Sequence, residues 1–163
     1  GKSILIVYTN ALLLPMSHQE RRSIVSLIST ILIIVIYSAY MVQRYPESGA
    51  YSPEVFRFWG GYFLILIPVT IVAKIVIYII FNIISVITTR EEEPDVMDER
   101  DRLIELKANT KSLYVVGIGF MVAMVALVAD MPPAAMFVIF VCVGVVAEMV
   151  SEIAQFYLYR RGF

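Results

Sequence analysis

REEEPDVMDERDRLIELKANTK, residues 90–111, is the one long polar segment of the chain, and two long apolar runs lie on each side of it. That arrangement decides the fold. The runs at residues 23–42, 58–86, 113–129 and 134–158 each reach the ~17 residues that a helix needs to cross a hydrocarbon core. They predict an all-α protein, a four-helix transmembrane bundle in which two helical hairpins, residues 23–89 and 112–163, are joined by the charged segment 90–111.

Composition points the same way. Of 163 residues 60% are hydrophobic and 17% are charged, an apolar share above that of soluble domains. Thirteen Lys and Arg against fourteen acids leave a net charge of -1, with no basic face for nucleic acid, so partners are expected in or at the lipid bilayer. The single Cys142 lies inside an apolar run and supports neither a disulfide framework nor a cysteine zinc site. His18 has no second histidine and reads as an ordinary exposed side chain, because a zinc site needs several convergent ligands. No metal or cofactor is expected.

Residues 1–22 form an N-terminal segment. Its first apolar stretch is about a dozen residues long, too short for a span of ~20. Asn10 interrupts it and no small-x-small cleavage signal follows. Met16 opens MSHQERRS, a polar start just ahead of a membrane helix, and residues 1–15 read equally as an upstream extension or as native chain.

Residues 23–42, SIVSLISTILIIVIYSAYMV, carry no charge and lie between Arg22 and Arg44. Their Ser26, Ser29 and Thr30 sit on neighbouring turns, where small hydroxyl residues allow close helix contact and are expected to bond their own backbone. The next loop, residues 43–57, holds Pro46, Gly49 and Pro53 and is ringed by Tyr45, Tyr51, Trp59 and Tyr62, an aromatic belt at a membrane surface. Residues 58–89 would make a helix of ~45 Å against a hydrocarbon core of ~30 Å. Pro68 removes one backbone hydrogen bond and is the expected kink. Gly119, Ala123 and Ala126 give the third run a small-residue face suited to packing within the bundle, with a homo-oligomer as its other use. Asp130-Met131-Pro132-Pro133 reads as a tight turn into the fourth run.

Orientation follows from the basic residues. Arg21, Arg22, Arg90, Arg100, Arg102, Lys107, Lys111, Arg160 and Arg161 share one side of a four-span chain, and only Arg44 and Arg57 lie on the other. The positive-inside rule then places both termini and the central segment in the cytoplasm, and the protein in the cell inner (plasma) membrane.

Lys74, Glu148 and Glu152 are the ionisable residues within the spans, and each costs several kcal/mol there unless it finds water or a partner. Counted from the outer ends of their spans, Lys74 and Glu148 fall at similar depth, ~20–25 Å at 1.5 Å per residue, which permits an ion pair between the second and fourth helices. Glu148 and Glu152 stand at i and i+4 on a face that continues to Gln155 and Tyr159. That face is expected to point into the bundle or into a cavity open to the cytoplasm. Its structural use is an ion pair plus a glutamate reaching the headgroups; its functional use is a proton or cation site.

Within the central segment, Pro94 ends the acidic run, and Asp95 and Asp98 both suit a helix N-cap. The spacing predicts a helix from about Asp98 into the third span, with Asp98 paired to Arg102 at i+4 and Glu99 reaching it at i+3. Charge is polarised: residues 90–101 carry two bases and seven acids, residues 102–111 three bases and one acid, so the basic part lies nearest the anionic lipids. Leu103, Ile104 and Leu106 add a small apolar patch for the membrane surface or a partner. Glu91, Glu92, Glu93 and Asp95 lack the glycine turn and ligand alternation of a calcium loop and read as a solvated loop.

The residues Asp98, Glu99, Arg100, Asp101, Ile104, Lys107 and Ala108, placed just before a membrane helix, resemble the D-E-R-D/E-x-x-I-x-x-K-A type signature of an uncharacterised family of small prokaryotic four-span membrane proteins. The resemblance covers about a dozen residues and the four-span layout, and it implies no known activity. No nucleophile and base pair, metal cluster or phosphate loop is evident, which argues against an enzyme. The expected function is a non-enzymatic interaction or regulatory membrane protein with a protein partner at residues 90–111. The alternative is a small ion- or proton-coupled transporter using Lys74, Glu148 and Glu152. It differs from the small multidrug transporters, another four-span class, in carrying its membrane carboxylates in the fourth helix rather than the first.

Overall fold

A computed structural model describes residues 17–89 and 98–161. Four helices make up the described chain: α1 (His18–Val42), α2 (Pro53–Thr89), α3 (Glu99–Val128) and α4 (Pro133–Arg160). No strand occurs among the described residues, and all four helices are long and apolar enough to cross a membrane. Residues 1–15, and the acidic run Glu91–Glu93 with Pro94 and Asp95, lie outside the described residues.

Local chemistry sets the helix ends. Ser17 caps α1, its Oγ accepting the Glu20 N–H at 3.3 Å. Asp98 caps α3 with a full capping box: its carboxylate accepts from the first turn while its own N–H donates to Asp101 at 3.4 Å. Asp98 is thereby committed to the backbone, where the spacing had suggested a pair with Arg102. α2 starts at Pro53, five residues before the apolar run at 58. Ser52 precedes it, and the Val55 N–H donates to the Ser52 Oγ at 3.4 Å, while proline at the first helical position gives up only a donor that has no helical partner. The helix runs through Pro68 unbroken for 37 residues, ~55 Å at 1.5 Å per residue, so tilt or protrusion must absorb the excess over the hydrocarbon core. The end of α3 is a Schellman turn. Met131 N–H returns to the Ala126 carbonyl at 3.1 Å and Asp130 N–H to Leu127 at 3.2 Å, with Asp130 at a φ of 58° in the left-handed region.

Helix α1 is inside-out relative to a soluble helix. Its buried residues are Glu20, Ser23, Ser26, Ser29, Thr30, Tyr37 and Met41, while Ile28, Leu32, Val35 and Ile36 are exposed. Lipid tails and a neighbouring helix are equally apolar to an isoleucine, so packing selects the small and polar stripe for the inside. The buried set of α3, Gly119, Ala123 and Ala126 at its centre, faces α4, whose own buried set is Pro133, Ala147, Ser151 and Ala154. A Cβ built on Gly119 would stand 2.2–2.8 Å from three atoms of the Val143 side chain, so only glycine permits this approach. The small-residue face therefore serves the bundle.

Helix α4 is the hub. It packs most extensively on α3, next on α1, and touches α2 lightly, and α1 lies more against α4 than against its hairpin partner α2. At the end carrying the two hairpin loops, Tyr37, Met41, Val55, Trp59 and Tyr62 form a buried cluster, with Trp59 stacked on Phe137 at 5.5 Å. The Tyr37 hydroxyl donates to the Tyr62 carbonyl at 2.9 Å. Further along, α1 and α2 part around a groove of about 700 Å³ lined by Leu32, Ile36, Val69 and Ala73. They meet again at the opposite end, which carries the start of α1 and the end of α4.

Candidate functional site

At that terminal end all four helices turn polar side chains toward one another. Lys74 on α2 donates from Nζ to Glu148 Oε1 on α4, the pair that equal depth in the two spans had suggested. One turn further along α4, Glu152 Oε1 accepts the Ser26 hydroxyl at 2.6 Å, and Ser26 Oγ in turn accepts the Tyr78 hydroxyl at 2.9 Å. Tyr78, Ser26 and Glu152 thus form a relay from α2 through α1 to α4. Ser29 bonds its own backbone at the Val25 carbonyl, as expected for a serine in a membrane helix. Ser26 departs from that expectation because Glu152 offers a charged acceptor, which makes a stronger bond than a neutral carbonyl.

Glu152 borders a cavity of about 150 Å³. Gln19, Arg22, Ser23 and Ser26 line it from α1, Tyr78 from α2, Glu105 from α3, and Gln155 and Tyr159 complete the α4 wall. The α4 face read from the sequence, Glu152 through Gln155 to Tyr159, is therefore a chamber wall, while Glu148 stands deeper with Lys74. The Arg22 guanidinium lies 5.0 Å from the centre of the Tyr78 ring, a cation–π contact between two groups of the chamber lining. Asp101 and Glu105 stand close to Tyr159, and Ser151 donates to Asn109 Oδ1 at 3.0 Å, so the polar first third of α3 closes onto α4.

Sequence reasoning missed Glu105, Arg22 and Tyr78. The available signal was the period-3.6 stripe of Ser23, Ser26 and Thr30, which marks the face of α1 that seeks polar company. His18 is corrected as well: it is half-buried, its ring 5.2 Å from Phe81 and its Nδ1 3.2 Å from the Ser85 hydroxyl. This imidazole, at the first position of α1, packs where the end of α2 passes beside it.

The signature-like residues divide by role. Asp98 and Asp101 make the capping box, and Ile104 and Ala108 are fully buried at 0% exposure. Glu99 and Arg100 are exposed, as is Lys107, which engages a further contact of its own. Four of the seven are thus accounted for by helix initiation and packing.

No protein-family model, curated protein or solved structure matches the chain. What it does has to be read from its own residues. The chamber offers carboxylate, hydroxyl and amide groups and the Arg22 guanidinium. Among the described residues no three His, Cys, Asp or Glu side chains converge to hold a metal ion, and Cys142 is exposed and lies on the far side of α4's midpoint from Glu152. Such a set can take up, hold and release a proton or a small cation.

Proposed function

We propose that this protein is a small ion- or proton-coupled transporter of the plasma membrane, working through Glu148, Glu152 and Lys74. The observation that carries this reading is the relay from Tyr78 through Ser26 to Glu152, ending at a polar chamber to which every helix contributes. A bundle needing only cohesion would fill that volume with small apolar side chains, as α3 and α4 do around Gly119; carboxylates at depth cost several kcal/mol and mark ion pathways. The aromatic cluster of Tyr37, Trp59 and Tyr62 closes the hairpin end, which suits one state of an alternating-access cycle. The sequence count of nine Lys and Arg against two supports a chamber and termini that face the cytoplasm.

The test is flux through the purified chain alone in liposomes carrying an internal pH dye, with folded yield measured separately. Glu152→Gln should fold and lose flux, and Glu148→Gln should lose both. If each variant loses only folded yield, with flux per folded molecule unchanged, the transport reading fails.

One observation favours a second reading, an interaction protein using the cytoplasmic end of α3. Leu103 and Leu106 are 53% and 63% exposed beside the charged Glu99 and Arg100. Crosslinking in native membranes would then capture a stoichiometric partner that Leu103→Ser with Leu106→Ser releases, and its persistence in the double variant would remove this reading.

A further inference from the structure

Helices α1, α2 and α4 border a further cavity at the hairpin end of the bundle, about 560 Å³ in volume. Ser38 and Met41 line it from α1, Phe58 and Trp59 from α2, and Ala134 and Val141 from α4. Its size falls within the ~300–1,000 Å³ of ligand pockets. The wall is almost wholly apolar, and a cavity of that kind takes up apolar matter rather than water. Val42 and Val138, also in the wall, are 68% and 48% exposed, so the cavity opens toward the apolar surroundings of the bundle.

One buried polar atom in this wall is left over. Trp59 is 8% exposed, and its Nε1–H has no hydrogen-bond partner among the described residues. The hydroxyls of Ser38 and Tyr62, by contrast, bond one another at 2.7 Å. A buried indole N–H usually finds an acceptor. Phe58, Phe63 and Phe137 pack around this one and carry none, so an occupant of the cavity is what can supply it.

We infer that the cavity binds an acyl chain of an ester-linked membrane lipid, with the ester carbonyl accepting the Trp59 Nε1–H. Three features select this class. The wall calls for hydrocarbon along its length and an acceptor at one point, and a carbonyl oxygen accepts without bringing a donor that an apolar wall would leave unpaired. Trp59 belongs with Tyr45 and Tyr62 to an aromatic belt, and such belts lie at headgroup level, the depth at which a bilayer lipid carries its ester groups. The open side is apolar, so a chain enters sideways from the leaflet without crossing a polar barrier. Once seated, it fills the space between α2 and α4, which otherwise touch only lightly. The cavity shares no residue with the Glu152 chamber, so lipid binding and ion flux stand or fall separately.

Trp59 is the chain's single tryptophan, and its fluorescence therefore reports this site alone. The purified full chain, in alkyl maltoside micelles whose chains carry no carbonyl, is titrated with phosphatidylcholine bearing brominated acyl chains, which quench indole emission at contact. Quenching should saturate. The ether-linked lipid with the same brominated chains should bind about two- to tenfold more weakly, the worth of one neutral hydrogen bond. Val138→Phe, at an exposed position of the wall, should keep its circular dichroism and weaken the saturable quenching several-fold by narrowing the opening. Quenching that grows with lipid without saturating, equal affinities for ester and ether lipid, or an undiminished response in folded Val138→Phe overturns the inference.

Discussion

Replacing Lys74 by leucine strips Glu148 of its cation, and the size of the penalty can be worked out. Left charged, an ion that has lost its partner in a low-dielectric site costs roughly 3–5 kcal/mol. Lys74→Leu should therefore destabilise the chain by up to roughly 3–5 kcal/mol. This is an upper value, because Glu148 keeps 35% of its side-chain surface uncovered and water can reach it. Changing both residues to leucine removes both charges and should return the chain to within about 1 kcal/mol of the parent. Reversible unfolding in mixed micelles reads all three proteins. A single variant as stable as the parent, or a double variant as unstable as the single one, would refute the reasoning.

Two further substitutions probe the scaffold in the same assay. Gly119→Ala forces a methyl group into Val143 and should cost ~1–3 kcal/mol, most of it regained with Val143→Ala; an unaffected Gly119→Ala protein would mean that α3 and α4 can separate freely. Asp130→Gly relieves a side chain held at a φ of 58° and should stabilise the turn between α3 and α4 by about 1 kcal/mol, seen as a higher unfolding temperature, and a lower one would contradict the Schellman assignment.

Element existence was legible in the sequence because hydrophobic length alone reports it, and so was the equal depth that permits a Lys74–Glu148 pair, since depth along two spans running in the same direction can be counted in residues. The Asp98 cap was legible because capping is a short-range matter of a few residues. Partner choice was not. In a bilayer the apolar period says little about which helix lies against which, because lipid and neighbour look alike to Ile or Val. That α1 prefers α4 to α2, and that Ser26 therefore meets Glu152, depends on shape and hydrogen bonding between residues far apart in the chain. The start of α2 could have been found: Ser52-Pro53-Glu54 is a cap, a first-position proline and a first-turn acid in order, overshadowed by the apolar run that starts at residue 58. Glu105 escaped notice because it sits in a segment whose charges read as cytoplasmic, before it was evident that the first turns of α3 fold down onto the end of α4.

The bond between Ser26 and Glu152 spans 126 residues, almost the whole described chain, and that has a consequence for biogenesis. At ~5–20 residues per second a ribosome takes roughly 6–25 s to bring Glu152 out after Ser26, and through that interval α1 and α2 occupy the bilayer with a polar stripe and Lys74 uncovered. Translation that stops after α3 leaves both permanently unpaired, so a truncated chain displays within the lipid a polar surface that the finished protein hides, where membrane quality-control proteases can read it.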